Sequence, residues 1–409
     1  MTKIKLSEIC DLQNGYAFKS TDYVEESNTL SCRMSNIRLG GIFDIEYNSR
    51  YLPDSFAEKF KSFLLQDGDL VIAMTDLAND PKLLGVPTLV QTNGKNILLN
   101  QRVGKLVIKN SSKVDNKYLQ YVLNDPKTRK YYKKFASGGL QINLGKSDLL
   151  NVEIFLPPID EQRRIASILD KADELRKKRQ QSIKKLDQLL QTTFVDMFGD
   201  PVSNPKKWKV KQLKDLSIKI HSGNTPKGGS ENYVDEGIIF LRSQNVWKNK
   251  IILDDVAYID EETHAKMLKS SVKYEDILMT KTGRINTENS SLGRASIYLG
   301  KDDSANINGH VYLIRIKEDF NKYFILSILT LPDYYEYIRS VCVGGIDKRQ
   351  LNKEHLENFP IIQPPLELQN KFSNIVKVIE SQKPKLLEQL KLQEKLFNTL
   401  QNKAFSGNL

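Results

Sequence analysis

Several short strings have the residue types of enzyme sites, and their spacing decides against each. Gly145-Lys146-Ser147 has the end of a phosphate-binding loop, in which backbone N–H groups and a lysine cradle phosphate oxygens. The preceding glycine, Gly139, leaves five intervening residues where four are needed, and the later stretch Asn352-Lys353-Glu354 keeps only the lysine. Pro53-Asp54 with Asp80-Pro81-Lys82 imitates a metal-nuclease carboxylate set. Pro81 would break the strand on which the last two should sit, and the corresponding later stretch reads Asp260-Glu261. An amino-methyltransferase would show Asp/Asn-Pro-Pro-aromatic and a glycine-rich cofactor loop, whereas the double prolines here read Leu-Pro-Pro-Ile and Gln-Pro-Pro-Leu. His221, His264, His310 and His355 are scattered without metal-ligand spacing. The expectation is a chain without catalytic residues, metal or cofactor.

The residues that remain are hydrogen-bonding side chains on loops, the types that reach base edges of nucleic acid: Arg toward guanine, Asn or Gln toward adenine. The first half offers Asn14, Lys19, Arg33, Asn36, Arg38, Thr75, Gln101, Arg102, Gln141 and Asn143. The second offers Asn224, Thr225, Lys227, Arg242, Gln244, Asn245, Lys281, Thr282, Arg284, Lys348, Arg349 and Gln350. Taken one at a time, each reads as a solvated loop residue or a phosphate contact before it reads as a base contact; clustered after strands in both halves, they form candidate DNA-facing loops. The glycine pairs Gly138-Gly139 and Gly344-Gly345 would let backbone approach a phosphate, or make a tight turn.

The elements that must position these residues are written twice. LPPIDEQ at 156–162 returns as QPPLELQ at 363–369, a displacement of 207, and Asp69-Leu70-Val71 faces Asp276-Ile277-Leu278 at the same offset. Leu6-Ser7-Glu8-Ile9 faces Leu213-Lys214-Asp215-Leu216, also at 207, while Asn100-Gln101-Arg102-Val103 faces Asn308-Gly309-His310-Val311 at 208. A register held through the chain with single-residue slips means two copies of one unit. Within a copy, short β-type runs such as Gly237–Leu241, Asp276–Met279 and Val311–Ile316 come first. A tyrosine-rich helical stretch follows at about 115–135 and 321–341.

The last quarter of each copy changes period. Ile165, Ile168, Ala172, Leu175, Ser182/Ile183, Leu186, Leu189/Leu190, Phe194 and Met197 recur at helical spacing. The second copy supplies Phe372, Ile375, Ile379, Leu386, Leu390, Leu396/Phe397, Leu400 and Ala404. A narrow seam of about five heptads suits packing on one partner helix. Pro157-Pro158 and Pro364-Pro365 end the preceding strand and deliver an extended entry. Asp160, Glu161 and Glu367 stand at the positive end of the helix dipole, and Gly199 and Gly407 stand at the exits. Pro384, where the first copy has Lys177, predicts a kink or restart with Ser381 as N-cap. The fold expected is α+β: two pseudo-symmetric mixed α/β domains separated by two long helices packed as an antiparallel coiled coil.

The formal charge of +11 favours a polyanionic partner. Residues 160–200 carry nine Lys/Arg against eight Asp/Glu and residues 367–405 seven against four, so +7 lies outside the long helices. Cys10, Cys32 and Cys342 are odd in number and far apart, which points to a reducing cytoplasm. Met1 to Leu6 shows no secretory pattern, and the longest apolar stretch, Tyr323 to Leu331, is about half the roughly 20 residues of a membrane helix.

These strings in this order resemble the specificity subunit of type I restriction-modification systems over essentially the full chain. The marks are PP-x-x-x-Q before a long helix, twice; HSGNTPKGG at 221–229; IIFLRSQNV at 238–246; EDILMTKTG at 275–283; INGHVYLIRI at 307–316; and GGIDKRQL at 344–351. Degraded versions recur in the first copy as QNG at 13–15, GDLVIAMT at 68–75, LNQRV at 99–103 and SGGLQINL at 137–144. The first copy departs from the pattern where MSNIRLGG stands for the LRSQNV type and LVIAMTDLAND for the strand-then-glycine type.

The resemblance implies target recognition domains at 1–155 and 206–362, with helical spacers at 156–200 and 363–409. Each domain would read half of a split, asymmetric site in double-stranded DNA. The helices would set the unread gap and dock two methyltransferase subunits, which restriction (endonuclease and translocase) subunits join. The competing expectations are a stand-alone enzyme with a cryptic nuclease or methyltransferase site, and a DNA-binding regulator that dimerises through a helical arm.

Overall fold

The computed structural model describes residues 3–78, 81–135, 140–287 and 289–409; Asp80 and the pair Gly138-Gly139 lie outside them. The chain divides into two compact units, Met1–Gln180 with Glu388–Leu409, and Gln181–Leu387.

Each unit is built on a four-stranded antiparallel sheet. In the first the order is Cys10–Asn14, Val103–Ile108, Leu70–Ala73, Pro87–Leu89. In the second it is Ser217–Ser222, Val311–Ile316, Ile277–Thr280, Ala295–Ile297. All four residues of Leu70–Ala73 are buried because both faces of the strand are covered. Leu70 and Ile72 enter a core with Tyr118 and Leu169, while Val71 and Ala73 enter another with Leu30 and Ile97. Ile277 and Met279 against Leu278 repeat this alternation. A three-stranded sheet accompanies each: Thr29–Cys32 lies between Tyr51–Leu52, antiparallel, and Asn96–Leu99, parallel. Ile238–Leu241 lies likewise between Ala257–Ile259 and Ala305–Ile307.

Each single helical stretch expected from the tyrosines is two helices, Asn116–Leu123 with Pro126–Lys133, and Lys322–Thr330 with Pro332–Val341. Proline fits only the first turn, where its missing N–H leaves no bond unmade. Asp125 caps the second helix of the first pair by accepting the Lys127 N–H at 3.0 Å.

The long helices run Ile159–Phe198 and Leu366–Ser406, 40 and 41 residues, or roughly 60 Å each. The glutamine of each PP-x-x-x-Q string is buried and fixes the entry. Gln162 Nε2 donates to the Lys113 and Pro157 carbonyls while its Oε1 accepts the Asp115 N–H, and Gln369 Nε2 donates to the Pro364 carbonyl. Gly199 and Gly407 close the helices at φ of +78° and +76°, the left-handed conformation glycine adopts without a Cβ clash.

Within the first unit the start of one long helix lies on the end of the other. Arg164 Nη2 donates to the Leu409 carbonyl at 2.9 Å and the Arg176 guanidinium sits 4.8 Å from the centre of the Phe397 ring. Within the second unit Phe194 and Phe198 meet Phe372 at ring separations of 5.4 and 5.6 Å, and Lys383 Nζ reaches Asp187 at 2.5 Å. In both units rising numbers on one helix meet falling numbers on the other, so the paired segments are antiparallel.

The expected seam needs correction at single positions. Leu175 and Leu189 are 54% and 51% exposed, while Leu169, four residues after Ile165, is fully buried. Between Glu174 and Thr193 no residue is fully buried, but half-buried Arg176, Arg179, Ile183, Leu186, Leu190 and Thr193 keep the alternating three–four spacing of the seam. No new helix starts at Pro384, because the helix continues through it. Ser381 is no N-cap: its hydroxyl donates back to the Val378 carbonyl at 2.7 Å, a bond made inside a helix. Among the described residues no helix is long and apolar enough to cross a membrane.

Candidate nucleic-acid interface

Two strand pairs bring distant candidate residues together. Thr75–Leu77 pairs antiparallel with Gln141–Asn143, setting Thr75 opposite Asn143 and Leu77 opposite Gln141. The second unit repeats this with Thr282–Arg284 on Lys348–Gln350, where Arg284 faces Lys348 and Thr282 faces Gln350. Period-2 alternation turns Ile142 inward and leaves Gln141 and Asn143 exposed. Lys348 and Gln350 are exposed likewise, whereas Arg349 is half-buried and donates from Nη1 to the Cys342 carbonyl at 3.2 Å. Thr75 is buried, with its hydroxyl 3.5 Å from the Met34 sulfur.

A second cluster forms where a strand end crosses the other sheet. A Cβ on Gly15 would stand 2.2 Å from the Asn100 carbonyl oxygen, and one on Gly223 would stand 2.1 Å from that of Asn308. Only glycine fits so close an approach. It places exposed Asn14 beside the turn that carries Gln101 and Arg102. In the second unit the Asn224 N–H donates to the Ile307 carbonyl and the Thr225 hydroxyl accepts the Gly309 N–H, so both lie along the equivalent turn. Lys19 and Lys227 are exposed on neighbouring turns. Lys281 is withdrawn: its ammonium donates to the Gly309 carbonyl at 2.6 Å and to the Ser222 hydroxyl, and it lies 4.5 Å from the centre of the Tyr312 ring. Burial holds its pKa below the usual lysine value.

The third cluster departs from expectation. Asn36 and Asn245 are each 1% exposed and do not face outward. Asn36 Oδ1 accepts the Arg33 N–H at 2.8 Å, and its Nδ2 donates to the carbonyls of Asp44 and Tyr47 at 3.1 and 3.0 Å. Asn245 Oδ1 accepts the Arg242 N–H at 2.9 Å, and its Nδ2 donates to the carbonyls of Ile252 and Asp255, both at 2.9 Å. An asparagine satisfied at both ends shapes its turn and has little left for a base. Arg242 and Gln244 are both held on the Asp255 carboxylate at 3.2 Å, and those contacts, with the Arg242 charge beside it, keep that carboxyl below the ordinary aspartate value. Arg38 remains forward, its guanidinium 3.7 Å above the Tyr47 ring. With Gln141, Lys82 and Leu140 it lines an open cleft of about 1190 Å³.

Sequence reasoning missed Arg294, stacked 3.8 Å over the Trp247 ring and donating from Nε to the Ser290 carbonyl. Trp247 two residues beyond Asn245 was the available signal. Among the described residues no cluster of His, Cys, Asp and Glu is placed to hold a metal.

The family described as type I restriction modification DNA specificity domain matches residues 1–185 and again 205–393. The chain therefore belongs to that family and carries its DNA specificity domain in each half. Within that family it is a DNA specificity subunit.

Among curated relatives, the type I restriction enzyme MjaVIII specificity subunit of Methanocaldococcus jannaschii is 30% identical over 187 residues, 44% of this chain and 42% of that one. That match thus spans less than half the relative's length. The putative MjaX specificity subunit of the same organism is 26% identical over 86% of this chain and 81% of its own. The crystal structure of the type I S subunit from M. genitalium superposes with a TM-score of 0.58 at 17% identity, covering 99% of this chain and 96% of that one. That likeness concerns the fold.

Proposed function

We propose that the domains at 1–155 and 206–362 each read one half of a split, asymmetric double-stranded DNA target. The segments at 156–200 and 363–409 hold the two halves at a fixed gap. They also dock two methyltransferase subunits and, through them, restriction subunits, in the cytoplasm. The observation that carries this reading is the paired strand motif, present once per unit, with exposed Gln141 and Asn143 in one copy and exposed Lys348 and Gln350 in the other.

The base-reading set we assign is Asn14, Arg38, Gln101, Arg102, Gln141 and Asn143 in the first domain, and Asn224, Thr225, Arg284, Lys348 and Gln350 in the second. Lys19 and Lys227 suit phosphate, where a lysine acts as a point charge and contributes salt-dependent affinity. Arg33, Arg242, Gln244 and Arg349 position the loops that carry the readers, as do Asn36, Asn245, Thr75, Lys281 and Thr282.

The test is to co-express the chain with its methyltransferase partner and map methylated adenines across the host genome. A two-part motif with a constant gap is expected, and inserting one or two helical turns after Leu186 should lengthen the gap while both half-sequences stay. An uninterrupted motif, or methylation without sequence preference, would overturn the reading.

A further inference from the structure

The two most exposed large hydrophobic side chains of the described residues are Leu140 and Ile346, each 88% exposed; Ile218 follows at 63%. A single exposed leucine is ordinary on a protein surface. These two differ because they are the same position in the duplicated unit, the residue directly after a glycine pair, Gly-Gly-Leu in one copy and Gly-Gly-Ile in the other. The second copy has one residue more between this position and its strand, so the aliphatic side chain keeps its place beside the glycines across a slip in register.

Neither sits on slack chain. The Leu140 carbonyl accepts the Ala78 N–H at 3.1 Å, and the carbonyl of Asp347, next to Ile346, accepts the Ile285 N–H at 2.9 Å. The side chains are thus held at the ends of the two strand pairs that present the polar readers. Their surroundings mix apolar, charged and polar groups: Leu39, Leu77, Arg38 and Gln141 border Leu140 in the cleft, and Arg284, paired with Asp347 at 3.4 Å, forms with Lys348 the rung beside Ile346. An apolar tip at the end of a strand pair that exposes Gln141 and Asn143 in one unit, and Lys348 and Gln350 in the other, suits a DNA groove, where methyl groups stand among hydrogen-bonding base edges.

We propose that Leu140 and Ile346 are the apolar counterpart of the polar readers, each leaving water to pack against thymine C5-methyl groups in the major groove of its own half-site. Thymine alone presents a methyl group there. The inference rests on the DNA-reading function proposed above and adds to it a preference for A·T pairs at one position in each half.

The test replaces thymine by deoxyuridine, which removes that methyl and nothing else. The complex of full chain and methyltransferase partner is titrated with duplexes of the mapped motif carrying uracil in one half or the other. Wild type should lose about fourfold in affinity per contacted methyl. L140A should weaken binding on the order of tenfold and no longer respond to uracil in one half, and I346A should do the same for the other half. Both variants should keep the wild-type melting temperature, since neither side chain is packed. Wild type indifferent to uracil in both halves, or variants that keep wild-type affinity and uracil response, would overturn the proposal. Failure of wild type to prefer the motif over scrambled duplex would instead overturn the DNA-reading function on which it stands.

Discussion

Lys383 donates to Asp187 Oδ1 at 2.5 Å between the two long helices of the second unit, one residue before Pro384. The same ammonium also holds the Glu380 carboxylate at 2.5 Å. Glu380 is the residue whose backbone carbonyl a proline at 384 leaves without an N–H donor. The ion pairs brace the helix at its weakest turn. Burial alone would lower the Lys383 pKa, yet the bonds to Asp187 and Glu380 carry it above the ordinary lysine value. Their contribution is complete below the free-lysine pKa and fades as pH rises through the folded one.

P384A restores one helical bond and removes a ring clash, so it should stabilise the chain by about 1–3 kcal/mol, read from the urea midpoint. K383A should destabilise it by about 1 kcal/mol at neutral pH, and that difference should shrink at strongly alkaline pH. A P384A variant less stable than wild type would mean that the helix needs the proline.

Asn36 and Asn245 hold their turns from inside. N36A and N245A each strand backbone groups that the amide now satisfies, at a cost of about 2 kcal/mol. Hydrogen exchange should accelerate around residues 37–47 in the first variant and 246–255 in the second. Unchanged exchange, with DNA affinity lost all the same, would return both residues to the reading surface.

Gly15 and Gly223 have no room for a side chain beside the Asn100 and Asn308 carbonyl oxygens. G15A and G223A should each cost about 1–3 kcal/mol, measured by thermal unfolding, because backbone cannot move aside as a flexible side chain would.

The three thiols are buried and free. Burial pushes Cys10 and Cys32 up to about 12 and Cys342 to about 11. Thiolate is the reactive form, so at pH 8 the folded chain should resist a thiol reagent that modifies all three in denaturant. Rapid labelling of the folded chain would show that these sites open locally.

The duplication was legible because matched strings at one offset imply matched elements, and the double prolines and terminal glycines mark helix ends by backbone sterics alone. Strand positions such as Val311–Ile316 followed from short, mainly apolar runs. The candidate site was legible only as clusters. An asparagine on a loop has the same letter whether it points at solvent or pins the turn beneath it, which is why the burial of Asn36 and Asn245 was not legible. Leu169 escaped because Ile168 beside it is equally apolar: the heptad Ile168, Leu175, Ser182, Leu189 runs one residue ahead of Leu169, Arg176, Ile183, Leu190, which the structure buries more. The Trp247–Arg294 stack joins residues that no local pattern connects.

The central claim is that each half reads on its own. Exchanging residues 206–362 for the matching domain of another family member, then mapping the methylated sequence, tests it most directly. One half of the motif should change while the other half and the gap persist. A motif altered in both halves, or in neither, would contradict the account.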